Sequence, residues 1–293
     1  MKETYEFRIY EDYYHLLPHP NNARFNGAVY VLKISRDNII FHKLKEINKK
    51  VKEKFGKSIF GFWNVKRSYT KKELVEAKLF HFKIKTTFEP TGEECGTLYD
   101  ETFTCKICGA NKKQISSLIL KKGSIPKKDI ARTIGGEIVV SDRFVNAIKQ
   151  RKMKGLALTP VNFEKQPSTY YQLTANMEVD LSHRTVAGVN AFDFSESSEG
   201  TDFTIQGGYH IKFEKEIYKC YKGHTIGLNI LSEPYVLNSP LIKGFDFFVS
   251  KQKIGVKRGL LSPEPVYICS PALKKMVKEE KLSGFEFEIA HID

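Results

Sequence analysis

Apolar and polar residues alternate with a period of two over Tyr5–Tyr10 and Ala28–Ile34, which predicts two strands near the N-terminus. Between Lys43 and Phe55 the period changes. Leu44, Ile47, Val51 and Phe55 recur at helical spacing among lysines, and this predicts an amphipathic helix with a solvated basic face. Ile59–Val65 and Lys78–Thr86 read as further strands around a short helix at Lys71–Ala77. At Phe88-Glu-Pro-Thr-Gly92 the pattern breaks, and Gln114–Leu120 resumes it as a strand. Short strands mixed with a few helices predict an α+β protein.

A longer pattern repeats. Ile138–Leu158 aligns without gaps on Tyr267–Phe287, and Ser141/Ser270, Lys149/Lys278, Lys152/Lys281 and Gly155/Gly284 are identical pairs. Each copy reads as a strand, a serine helix cap, an amphipathic helix, a glycine stop and an alternating strand. The apolar helix positions, Phe144 with Ile148 and Leu273 with Val277, lie four apart, and Pro271 suits a first helical turn. Two related lobes follow, each with a β–α–β unit: a basic α+β lobe over 1–165 and a β-rich lobe over 166–293.

Three of five cysteines fall in one short stretch, Gly92-Glu-Glu-Cys95-Gly96 through Cys105-Lys-Ile-Cys108-Gly109. A Cys-x-x-Cys-Gly turn is half of a zinc ribbon, because its glycine lets backbone amides fold round a metal-bound thiolate. The other half would need cysteine at position 92, where Gly92 stands. A zinc-ribbon-like insertion over 89–120 is therefore one ligand short. Cys220 and His224, four apart beside Gly223, are the candidates to complete it. The favoured set is Cys95, Cys105, Cys108 and Cys220, with His224 as the alternative fourth ligand of a structural zinc. Cys269 reads as a buried apolar side chain. Asp193, Glu196, Glu199 and Asp202 surround a small-residue loop without the spacing of an EF-hand, so a solvated turn is the simpler reading than calcium.

Charge adds a second theme. The chain carries 47 Lys/Arg against 34 Asp/Glu, and residues 1–155 hold 32 of the former against 17 of the latter, a net of +15. The rest is near neutral. This asymmetry admits a nucleic-acid surface through Lys66, Arg67, Lys112, Lys113, Lys121, Lys122, Lys127 and Lys128 on either side of the cysteines. Lysine predominates over arginine, which suits diffuse attraction better than specific forks. Stacking platforms are not distinguishable, since Tyr13, Tyr14, Phe60, Phe62 and Trp63 are equally good core residues. No apolar run approaches eighteen residues and the N-terminus lacks a signal-like apolar stretch, so a cytoplasmic protein without a membrane span is expected. Clustered thiols in a reducing compartment favour metal over disulfides. Neither a His-Glu-x-x-His, a Gly-x-Ser-x-Gly, a Walker loop nor a Gly-x-Gly-x-x-Gly is present, so an enzyme is the least supported class.

The Cys105–Gly109 turn, its Gly-Glu-Glu-Cys-Gly-Thr-Leu-Tyr-Asp lead-in and the serine, helix, glycine endings resemble bacterial double-CxxCG motif proteins. These are often taken to be immunity proteins of polymorphic or contact-delivered toxins. The resemblance is strongest over 89–163 and 245–291, and it departs at the first knuckle, which keeps only Cys95. It implies a cytoplasmic, non-enzymatic protein that neutralises a cognate toxin by binding it. Zinc-dependent nucleic-acid binding through the basic half is the alternative.

Overall fold

The computed structural model describes every residue except 164–165, 193–200, 205–209, 214–219, 221 and 258, with backbone alone for 201–204, 210–213 and 241. The chain forms two compact units. The first holds Met1–Glu76 with Asn190, Ala191 and Phe192, and the second holds Ala77–Val189 and the described residues that follow.

In the first unit an antiparallel sheet runs in the order β2 (Ala23–Phe25), β3 (Tyr30–Ile34), β1 (Lys2–Ile9), β4 (Phe60–Ser68). Helix α1 (Ile39–Phe55) starts four residues before its apolar stripe suggests, because the Asn38 side chain accepts from the Ile40 amide and caps it. Gly56, at φ 67°, closes it. Tyr5 and Phe7 on β1 meet Phe41 of α1, and Phe60 and Phe192 complete the aromatic core. Tyr13, Tyr14 and Trp63 pack against that core, whereas Phe62 is exposed with the Arg8 guanidinium 4.5 Å above its ring. Helix α2 (Lys71–Glu76) ends the unit.

The second unit is built from a duplicated topology. Its first half runs β5 (Leu79–Ile84), β6 (Thr87–Phe88), β7 (Tyr99–Asp100), β8 (Lys113–Gln114), β9 (Ile119–Leu120), β10 (Ile130–Thr133), β11 (Ile138–Ser141), α3 (Asp142–Gln150) and β12 (Leu156–Phe163). Its second runs β13 (Gln166–Ala175), β14 (Glu178–Val179), β15 (Ala187–Gly188), β16 (Thr201–Thr204), β17 (His210–Phe213), β18 (Thr225–Gly227), β19 (Asn229–Ile230), β20 (Tyr235–Val236), β21 (Phe247–Ile254), β22 (Glu264–Cys269), α4 (Pro271–Glu279) and β23 (Phe285–Ile292). One sheet has the order β6-β10-β11-β13-β12-β9 and the other β14-β21-β22-β5-β23-β20. Each outer pair is parallel and each inner pair antiparallel, in both sheets alike. In the second sheet β18 also pairs with β21.

The two halves have exchanged their first strands. β13 opens the second half yet lies between β11 and β12 of the first, and β5 opens the first half yet lies between β22 and β23 of the second. The halves meet near residue 165, where the repeat placed a lobe boundary, but β12 and β13 are paired neighbours there, from Phe163↔Gln166 to Leu156↔Ala175. The compact units divide instead between Glu76 and Ala77. Interlocked strands make the two halves one body.

Reciprocal contacts lock the exchange. Ser141 caps α3 and donates to Asp129 at 2.9 Å, and Ser270 caps α4 and donates to Asp246 at 2.7 Å. Asp129 then accepts from the Ser283 amide of the second half, as Asp246 accepts from the Lys154 amide of the first. The glycine after each of these amides is obligatory. A Cβ at Gly284 would stand 2.3 Å from the Ile130 carbonyl and one at Gly155 2.2 Å from that of Phe247, and both glycines have φ near 95°.

Candidate metal centre

The 89–120 segment folds as a short β7–β8 ribbon that carries the Cys105–Gly109 turn between its strands. The turn is tight: the Cys105 amide donates to Ala110 O and the Gly109 amide to Cys105 O, both at 2.8 Å, with Gly109 at φ 75°. A similar pair of hydrogen bonds, with the glycine one position nearer its cysteine, recurs 115 residues later. The Cys220 amide donates to Thr225 O at 2.9 Å and the Gly223 amide to Cys220 O at 2.7 Å, with Gly223 at φ 77°. Cys105 lies in the connection from β6 to β9 and Cys220 in that from β14 to β20. These connections are equivalent in the two halves.

Both turns deliver their side chains to one point. Cys105 Sγ is 3.7 Å from Cys220 Sγ, and His224 Nδ1 is 3.7 Å from Cys220 Sγ and 3.9 Å from Cys108 Sγ. All four donor atoms lie within 4.8 Å of one another, the three cysteines buried and His224 half-buried. A tetrahedron with bonds of about 2.3 Å to sulfur and 2.0 Å to nitrogen has edges of roughly 3.5–3.8 Å, so the donors are already near the spacing zinc requires. Thiolate and imidazole donors also select zinc over magnesium or calcium.

Electrostatics prepares the thiols unequally. Burial opposes ionisation of Cys105, but the amides of Cys108 and Ile107 and the side chains of His224 and Cys220 outweigh it and bring this thiol down to about 6. Burial, with Cys105 and Cys220 alongside, pushes Cys108 up to about 11. A dication would reverse that second shift, since coordinating thiols bind as thiolates. Beyond the donors, the Asn111 side-chain nitrogen stands 3.4 Å from His224 Nε2, the ring nitrogen turned away from the sulfurs. Lys257 fastens the turn from outside. Its amide donates to Cys108 O at 3.2 Å and its ammonium pairs with Glu101 at 2.8 Å.

Cys95 is not part of this cluster. It ends a single turn of 3-10 helix over Glu93–Cys95, and the group able to hold a metal is Cys105, Cys108, Cys220 and His224, so His224 joins Cys220 rather than replacing it. The position that would have made a second knuckle is closed: a Cβ on Gly92 would lie 2.6 Å from Leu118 Cδ1 and 2.9 Å from both Glu137 Oε1 and Thr97 Oγ1. A cysteine there would have to displace these side chains. Cys269 is fully buried in β22, and burial raises its thiol well above the usual range. The side chains of Asp193, Glu196, Glu199 and Asp202 lie outside the described residues.

The basic candidates separate into two groups. Arg67 is buried against Glu3 at 2.8 Å, and Lys112 is held by Glu93 and Glu101, so neither is offered to a polyanion. Lys66 is exposed on the first unit, and Lys113, Lys121, Lys122, Lys127 and Lys128 are exposed on the second. No described helix is long and apolar enough to cross a membrane. No protein-family model matches the chain, and a search of curated proteins returns no match.

Proposed function

We propose that this chain is a zinc-stapled binding protein that neutralises a cognate toxin by direct contact, as its resemblance to double-CxxCG motif proteins implies. The observation that carries the structural role of the metal is the donor set, Cys105, Cys108, Cys220 and His224. Four protein ligands complete the tetrahedron and leave zinc no position for an activated water, so its contribution is to shape. It ties equivalent connections of the two halves to one another. Recognition then belongs to the surfaces this staple keeps in place.

Co-expression tests this reading. A neighbouring-gene product that arrests growth alone should be tolerated when the chain is present and should co-purify with it, and protection should fall with Cys220→Ser. Persistent toxicity beside well-expressed chain would remove the proposal. The exposed lysines from Lys113 to Lys128 support nucleic-acid binding as a second reading. In that case affinity for RNA or DNA falls steeply with salt, and absence of any complex at low salt excludes it.

A further inference from the structure

Two adjoining cavities of about 480 and 210 Å3 open in the second unit and share the walls Ser262, Glu264, Pro265 and Tyr267. The larger exists because two strands part. β22 pairs with β5 only at Cys269↔Phe80 and Ile268↔His81, and beyond that point Phe82–Ile84 and Glu264–Tyr267 diverge. Its lining is mainly apolar, with Phe82, Ile84, Ile230, Ile254, Leu261 and Val266. The smaller is polar and built around Glu137.

Glu137 is only 9% exposed. Its two oxygens accept from the hydroxyls of Tyr99 and Thr133, and among the described residues no cation pairs with it. The neighbouring acids differ: Glu93 is matched by Lys112 and Glu264 by Arg132. A carboxylate taken out of water without a counter-ion rests on its hydrogen bonds alone, and a group of opposite charge that reaches it is favoured. Here the rings of Tyr99 and Tyr267 line the same space, the Lys112 ammonium stands 4.5 Å from the Tyr99 ring centroid, and the paired amides of Gln114 and Gln172, at 2.7 and 3.0 Å, add polar edges. A wall that already holds one ammonium against an aromatic ring, beside a carboxylate without a cation of its own, is a setting that ammonium and guanidinium groups favour. The adjoining apolar chamber takes the hydrocarbon that carries such a group.

The geometry points to a binding site for an organic cation: an ammonium or guanidinium seated on Glu137, with its apolar portion in the cavity between β5 and β22. The site shares no residue with the metal ligands, so it stands or falls apart from the zinc and toxin readings. Calorimetric titration of the zinc-loaded full chain with benzamidine and with acetyl-Leu-Arg-Leu-amide tests it, using neutral benzamide as the control. Saturable binding of either cation, at least tenfold weaker in Glu137→Gln and not matched by benzamide, is the expected result. Preference for benzamidine would indicate a free small molecule, and preference for the tripeptide a basic side chain of a partner. Ser262→Trp, which fills the shared wall and leaves the Glu137 hydrogen bonds untouched, should also block binding. No saturable binding by either cation, or equal binding to wild type and to a folded Glu137→Gln, overturns the proposal.

Discussion

Cys220 and Cys95 make opposite predictions although both were candidate ligands. Replacing Cys220 with serine removes a donor 3.7 Å from two others, and should abolish stoichiometric zinc and lower stability by about 3 kcal/mol or more in urea unfolding. Cys95→Ser should leave zinc content unchanged, since Cys95 lies outside the donor set. The sequence showed Cys105 and Cys108 by their spacing, but the fourth ligand was legible only as a choice between Cys220 and His224. Both lie in the cluster because the stretches Cys105-Lys-Ile-Cys-Gly and Cys220-Tyr-Lys-Gly-His each turn at a glycine of positive φ, and the second donor follows the first cysteine at Cys108 in one and at His224 in the other. Comparing those two pentapeptides was the available signal.

At the scale of elements, the serine-capped helices and glycine stops were legible because each rests on local chemistry. The exchange of β5 and β13 was not, since β5 finds its partners in β22 and β23 at the far end of the chain, and such pairing is chosen by packing between distant segments. Gly155→Ala and Gly284→Ala should each destabilise by about 2–4 kcal/mol, because the new methyl meets a backbone carbonyl of the opposite half. Gly123→Ala, also at positive φ but in open space, should cost only about 1 kcal/mol, and equal losses at all three sites would deny the interlock. Asp129 adds a pH signature. Burial works against its ionisation, but the Ser283 amide, the Ser141 and Ser283 hydroxyls and Arg143 prevail and hold its carboxyl below the usual range. A depressed folded-state pKa gives stability that is fully present above the ordinary carboxylate value near 4 and lost as pH falls through the folded value. Asp129→Asn should therefore flatten the acid limb of the stability profile, and an unchanged limb would show that the Asp129 contacts do not form.

For the whole molecule, charge asymmetry predicted a basic first half, and the compact units divide it: the lysines beside the cysteines belong to the second unit with the metal turn, while Lys66 and Arg67 belong to the first. The repeated segments fold as β11–α3–β12 and β22–α4–β23, and as separate lobes they would each lack a central strand. What joins the halves is strand exchange, the Asp129 and Asp246 contacts and the Cys3His cluster, all within one body. The most direct test of that last joint is metal analysis of the purified chain beside its Cys220→Ser variant. About one zinc per chain in the wild type and almost none in the variant is the predicted result; a wild-type chain without zinc, or a variant that keeps a full equivalent, would contradict it.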